Sequence, residues 1–215
     1  RVVSSLGSLD VELLLAAGCV GELHSAGVAL DGAGLAPRFR AARQAGEPAF
    51  VEWSEGLLLR ALEATAAGVP SMPAWMGLGT DLPAVNPYLR AVRDPFTGEE
   101  VMQVRALAVD VAILHVPLVD DRGHAHVSGD LAADGLMARA ARRTIVTYEQ
   151  AGWAPPAEAA LGRIWIDEAV PALRGAWPCG CHPAYRPDLE AISAWAKAGA
   201  EADVGLLAPA GKGAR

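Results

Sequence analysis

A handover from strand to helix at Trp53-Ser54-Glu55 limits the folds open to this chain more than any other feature. Ala49-Phe50-Val51-Glu52-Trp53 reads as a short strand, and from Ser54 to Gly68 the period becomes helical. Leu58, Ala61, Leu62 and Thr65 fall at i, i+3, i+4 and i+7, so one helix face is apolar. Ser54 stands where an N-cap hydroxyl would accept an orphan N–H, and Gly68 followed by Pro70 ends the helix. Short apolar runs alternate with helical patterns of about a dozen residues along the chain, which is the βαβα signature of a parallel sheet covered by helices. The fold class is therefore α/β, with a mostly parallel sheet covered by helices.

The alternation continues along the chain. Val69-Pro70-Ser71-Met72-Pro73-Ala74-Trp75 is extended, and its prolines confine it to an edge or to loop-like geometry. Asp94-Pro95-Phe96-Thr97-Gly98-Glu99-Glu100 is a turn-rich loop, and the apolar run Val109 to Val116 is typical of a buried strand. Asp120-Asp121-Arg122-Gly123 turns the chain into a hairpin-like return through His124 to Val127. A helix is expected over Leu131 to Arg142, strands at Thr144 to Thr147 and Arg163 to Ile166, and a last helix from near Pro187 with Leu189, Ile192 and Ala196 on one face. Neither an internal repeat nor a long linker divides the sequence, so residues 1–208 read as one domain and 209–215 as a flexible tail. Arg1 is not a methionine and already lies in strand-like sequence. A preceding strand and loop are expected, with one sheet edge left open and poor solubility without a partner.

With 52% hydrophobic and 20% charged residues, 215 residues are enough to bury a sizeable core. A net charge of -7 leaves no broad basic surface for a phosphate backbone, which excludes nucleic acid as an expected partner. No apolar run approaches the roughly 18 residues that span a bilayer, so no membrane association is expected. Three cysteines, Cys19, Cys179 and Cys181, cannot all pair, and no secretory signal is present, which together point to the cytoplasm.

Glu55 is the leading candidate for chemistry. It stands at the carboxyl end of a strand, where open α/β sheets bind ligands, and in the first helical turn, where the macrodipole favours an ionised carboxylate. Such a group serves as base or nucleophile, or simply decorates a helix start. Glu52 on the preceding strand is a weaker candidate. Gly77-Leu78-Gly79-Thr80 is a turn whose backbone N–H groups could approach a phosphate or oxyanion, although it lacks the lysine of a P-loop and the third glycine of a dinucleotide fingerprint. Of the adjacent Glu99 and Glu100, at most one faces a site. His124-Ala125-His126 has the H-x-H spacing of a metal pair but no third ligand at a familiar spacing. Cys179-Gly180-Cys181-His182 is too short for a zinc half-site, so no metal is expected.

Several segments, taken in order over roughly residues 1–190, resemble one family. They are Val51-Glu52-Trp53-Ser54-Glu55-Gly56-Leu57-Leu58, Ala67-Gly68-Val69-Pro70 with Gly77-Leu78-Gly79-Thr80-Asp81-Leu82, Asp94-Pro95-Phe96-Thr97-Gly98-Glu99-Glu100, Asp110-Val111-Ala112-Ile113-Leu114-His115 ahead of Asp120-Asp121-Arg122-Gly123, and Ala140-Ala141-Arg142-Arg143-Thr144-Ile145-Val146-Thr147. The family is that of the A (α) subunits of family I coenzyme A transferases, in its glutaconate-type branch.

The resemblance implies an α/β fold shared with certain sugar-phosphate isomerases and an active site between an A and a B subunit. Acyl-CoA and a carboxylic acid are the implied substrates, with coenzyme A entering as substrate and no permanently bound cofactor. It also implies that a glutamate of the B subunit forms the glutamyl-CoA thioester. The Ser-Glu-Asn-Gly motif that carries that glutamate is absent here, so this chain alone is expected to be inactive and to contribute Gly77, Gly79, Thr80 and Glu99 to the substrate pocket. A related branch of ring-opening hydrolases uses a glutamate of the A-type chain in a segment like Glu55-Gly56-Leu57-Leu58, which implies a catalytic Glu55. A sugar-phosphate-sensing domain of the same fold is a third, non-catalytic alternative. Two departures bear on substrate identity: Gly123-His124-Ala125 replaces the family's Gly-Asn-Ala, and Cys179-Gly180-Cys181-His182-Pro183-Ala184-Tyr185 replaces its Gly-Gly-Ala-His-Pro-Ser-Tyr.

Overall fold

Three strands, Val2–Val3, Glu22–Ser25 and Ala49–Glu52, pair in parallel with Glu22–Ser25 in the centre. They belong to a computed structural model that describes residues 1–30, 32–128, 131, 133–154 and 159–207. Side chains alternate across this sheet, as the two-residue period of a strand requires. Val2, Leu23 and Phe50 join one core with Leu9, Val11, Ile192 and Trp195, which come from the helices Leu9–Ala16 and Leu189–Ala198. Val3 and Val51 join another, built on Trp53, Leu57, Leu58, Met102 and Val104.

The helix Glu55–Ala66 forms as the sequence specifies. Ser54 Oγ accepts from Leu57 N at 3.4 Å, Gly68 takes φ +68° just beyond the end, and Leu57, Leu58, Ala61, Leu62 and Ala64 are buried. Each buried leucine contributes roughly 1.5–3 kcal/mol of transfer free energy. Beyond this helix lies an antiparallel sheet in the order Ser71–Ala74, Glu100–Arg105, Leu89–Arg93. Ser71–Ala74 occupies its edge, which accommodates Pro73.

A five-stranded sheet runs Ala159–Leu161, Ala125–His126, Val109–Asp120, Ala141–Gly152, Glu168–Pro171; its first two junctions are antiparallel and its last two parallel. The expected parallel pairings are present, but they are shared between two sheets and joined by the separate antiparallel one. The hairpin return is present at Ala125–His126. The expected helix from Leu131 to Arg142 is shorter, Asp134–Ala140, because the strand Ala141–Gly152 starts directly after it.

Arg163 to Ile166 does not form the expected strand. Arg163–Trp165 is a 3-10 turn closed by Trp165 N to Gly162 O and Ile166 N to Arg163 O. Asp167 Oδ2 then accepts from Thr144 N at 2.7 Å, and pairing begins one residue later at Glu168. In the last helix, Ile192 and Trp195 are buried while Leu189 is exposed. Val2–Val3 pairs on one side only among the described residues. The expected tail lies outside the described residues. Among the described residues, no helix is long and apolar enough to cross a membrane.

Candidate functional site

All three parallel strands release their carboxyl ends at one edge, and the loops leaving them meet there. The loop after Val2–Val3 folds over the end of the central strand: Ala26 N donates to Ser5 O at 3.1 Å and Gly7 N to Gly27 O at 2.9 Å. The chain leaving Ala49–Glu52 passes through buried Trp53 and capped Ser54 to Glu55, whose carboxylate is exposed at this edge. Ser5 Oγ donates to Glu55 Oε1 at 3.0 Å. Glu52 points its side chain to solvent, while its carbonyl accepts from the buried Asn86 amide at 2.8 Å. That bond, with Tyr88 N donating to Asn86 Oδ1, ties the antiparallel sheet to the same edge.

The glycine turn lies against the first turn of the Glu55 helix. A Cβ on Gly56 would meet Met76 Sδ at 2.5 Å, and one on Gly77 would meet Leu57 Cδ1 at 2.9 Å, so each glycine leaves room for a side chain of the other segment. Gly77 and Gly79 both have positive φ, +85° and +74°. Thr80 Oγ1 donates back to Gly77 O at 2.8 Å, closing the turn. The turn that holds Gly77, Gly79 and Thr80 thus packs, through Met76 and Gly77, on Gly56 and Leu57, the two residues after Glu55. Glu99 is placed elsewhere: it is exposed at the tip of the hairpin, its backbone bonded to Asp94 and Thr97.

A second polar cluster, which the sequence did not single out, occupies one face of the five-stranded sheet. His115 and Glu149, on adjacent parallel strands, share a bond of 2.8 Å from Nε2 to Oε1, and Thr147 Oγ1 is 2.9 Å from His115 Nδ1. Glu149 also accepts from Arg174 N at 2.7 Å, Gly175 N at 3.1 Å and the Tyr185 hydroxyl at 3.0 Å. Burial opposes its charge, but these donors outweigh burial and hold the carboxyl below its ordinary range. Burial, and then the bond to Glu149, push Tyr185 up to about 12. Cys181 is raised by burial and by the Glu149 charge.

The donor atoms of His115, Glu149 and Cys181 lie within 4.8 Å of one another. Four hydrogen bonds converge on Glu149, three on Oε1 and one on Oε2, and three of their donors come from residues 174–185, so the cluster anchors that segment on the sheet. His124 and His126 diverge: His124 Nδ1 accepts from Arg163 N at 3.0 Å, whereas buried His126 donates from Nε2 to Asp120 Oδ2 at 3.0 Å. Cys181 is buried and its neighbour His182 exposed.

Residues 1–168 match the family model described as Coenzyme A transferase. The chain is 31% identical over 190 residues to the A subunit of 3-oxoadipate CoA-transferase from Pseudomonas knackmussii, covering 86% of this chain and 66% of that one. It is 34% identical over 189 residues to the cholesterol ring-cleaving hydrolase IpdA subunit of Rhodococcus jostii, covering 81% and 64%. The solved structure of a cysteine-to-serine variant of the decarboxylase AibA/AibB superimposes with a TM-score of 0.83 at 32% identity, over 95% of this chain and 79% of that one. The chain spans just under two thirds of the length of the two curated relatives. With its fold shared across almost its whole length and its sequence matched over residues 1–168, this chain belongs to the coenzyme A transferase family.

Proposed function

We propose that the chain is the A subunit of a two-subunit enzyme that moves coenzyme A from an acyl-CoA to a carboxylic acid. The observation that carries this reading is a half-built site: one exposed carboxylate, Glu55, at the sheet edge beside a glycine turn. One similar protein is named as the A subunit of such a transferase, which supports pairing with a B subunit.

In this reading a partner glutamate attacks the acyl carbonyl carbon, the C–S bond breaks, and CoA leaves as thiolate. The thiolate then attacks the glutamyl carbonyl of the anhydride, releasing the first acid and leaving a glutamyl-CoA thioester for the acceptor acid to attack. Glu55, Gly77, Gly79 and Thr80 line the acyl side of the pocket, where backbone N–H groups of the turn are suited to a developing oxyanion. Glu99, at the hairpin tip, takes part only if substrate or partner reaches it.

A second reading is favoured by one observation, the bond from Ser5 that fixes Glu55. A fixed, exposed carboxylate suits a general base, and one similar protein is named as a ring-cleaving hydrolase. Intact-protein mass spectrometry of this chain copurified with its B subunit, after brief exposure to a panel of acyl-CoAs, separates the two. A mass increase equal to CoA on the partner supports the transferase. Free CoA or opened ring product without an acceptor acid and without an adduct overturns it in favour of Glu55 as base.

A further inference from the structure

We infer that Ser5 is a positioning residue that holds Glu55 by one carboxylate oxygen and leaves the other for the reacting centre. This rests on the reading that Glu55 lines that centre, in either of the roles above. A serine hydroxyl has one hydrogen, and here it goes to Glu55 Oε1 at 3.0 Å. Among the described residues, Glu55 Oε2 has no hydrogen bond, so the two oxygens of a chemically symmetric group become inequivalent.

The bond joins two rigid supports. On the Ser5 side, Ser4 N donates to His24 O at 3.0 Å, Ala26 N to Ser5 O at 3.1 Å, and Ala29 N to Gly7 O at 3.0 Å. Ser25 Oγ lies 3.4 Å from Ser5 O. Gly7 makes this closure possible: a Cβ there would meet Val11 Cγ2 at 2.6 Å and Val28 Cγ2 at 3.0 Å. On the other side, the Ser54 cap, and Met76 seated on Gly56, fix the first helical turn. A glutamate at a helix start otherwise turns freely about its last torsion, which is broad and two-fold. The serine removes that freedom before substrate arrives, which is the preorganisation on which an oriented carboxylate depends.

The test uses the full chain paired with its partner, in four variants: Ser5→Val, Ser5→Thr, Glu55→Gln, and Ser5→Val combined with Glu55→Gln. Ser5→Val is expected to lower kcat by roughly 10- to 100-fold with KM and the thermal midpoint nearly unchanged, and Ser5→Thr to recover most of the loss. In the double variant, the serine change is expected to add nothing to the loss caused by Glu55→Gln. Unchanged kcat in Ser5→Val, a rise in KM alone, no recovery with threonine, or additive losses would each overturn the positioning role. An active Glu55→Gln enzyme would instead overturn the reading beneath it, so the two failures are distinguishable.

Discussion

Trp195 donates its indole N–H to Glu12 Oε2 at 3.0 Å, joining two helices through residues 183 positions apart in sequence. The same fully buried carboxylate accepts from Arg38 N at 3.1 Å and Phe39 N at 2.7 Å. These are orphan donors at the start of the helix Pro37–Ala45, whose N-cap position holds Ala36 and so offers no side-chain acceptor. Glu12 caps one helix from another and holds a third. Glu12→Ala would strand all three donors in the core and is expected to cost about 3–5 kcal/mol in urea unfolding. Glu12→Gln keeps one acceptor and should cost clearly less.

Fully buried His24 gives the fold a neutral-pH dependence. Trp53 Nε1 donates to its Nδ1 at 3.2 Å, so Nε2 carries the proton and donates to Glu22 Oε1 at 2.7 Å. Burial lowers the His24 pKa, and the bond to Glu22 only partly offsets it. The folded protein therefore binds this proton less readily than the unfolded chain. Stability should be complete above the unfolded value near 6.5 and decline as pH falls below it, by at most ~1.4 kcal/mol per pH unit. Denaturation midpoints between pH 7.5 and 5.5 should fall in the parent protein and flatten in His24→Gln. Parallel profiles would refute the assignment.

At more acid pH the turn after Val109–Asp120 takes over. Burial raises the pKa of Asp120, but donors outweigh it: His126, with Arg122 N and His124 N each at 2.9 Å from Oδ1. The net result holds the carboxyl down to about 2. The folded value is lowered, so this stabilisation is present above about 3.8 and lost as pH falls toward about 2. In Asp120→Asn the acid unfolding limb over that window should be shallower, with the whole curve displaced to lower stability at neutral pH.

Glu55 was legible because its setting is local: a strand, a cap and a helical period lie within twenty residues. Ser5 was not, because it follows a two-residue strand and its contact is made across 50 residues of sequence. Glu149 looks like any polar residue on a strand. Only the parallel pairing with Val109–Asp120 sets it beside His115, and Arg174 and Tyr185 reach it from a segment with no regular period. Ile164-Trp165-Ile166 misleads in the opposite direction. Its composition is strand-like, but Gly162 starts a turn there, and the Asp167 carboxylate takes the backbone donor of Thr144.

Gly77 and Gly79 offer a controlled comparison in the turn beside Glu55. Both have positive φ, so alanine at either should cost about 1 kcal/mol in backbone strain. A Cβ on Gly79 meets nothing within 4 Å, whereas one on Gly77 would press Leu57 Cδ1 at 2.9 Å. Gly77→Ala must therefore also displace the turn from the helix start or move a fully buried leucine, adding roughly 1–3 kcal/mol. If the turn works only through its distance from Glu55, Gly77→Ala should lose activity at temperatures where it remains folded, while Gly79→Ala keeps most of it. Equal loss of activity in the two variants, with unequal loss of stability, would show that backbone conformation rather than seating on Leu57 governs the turn.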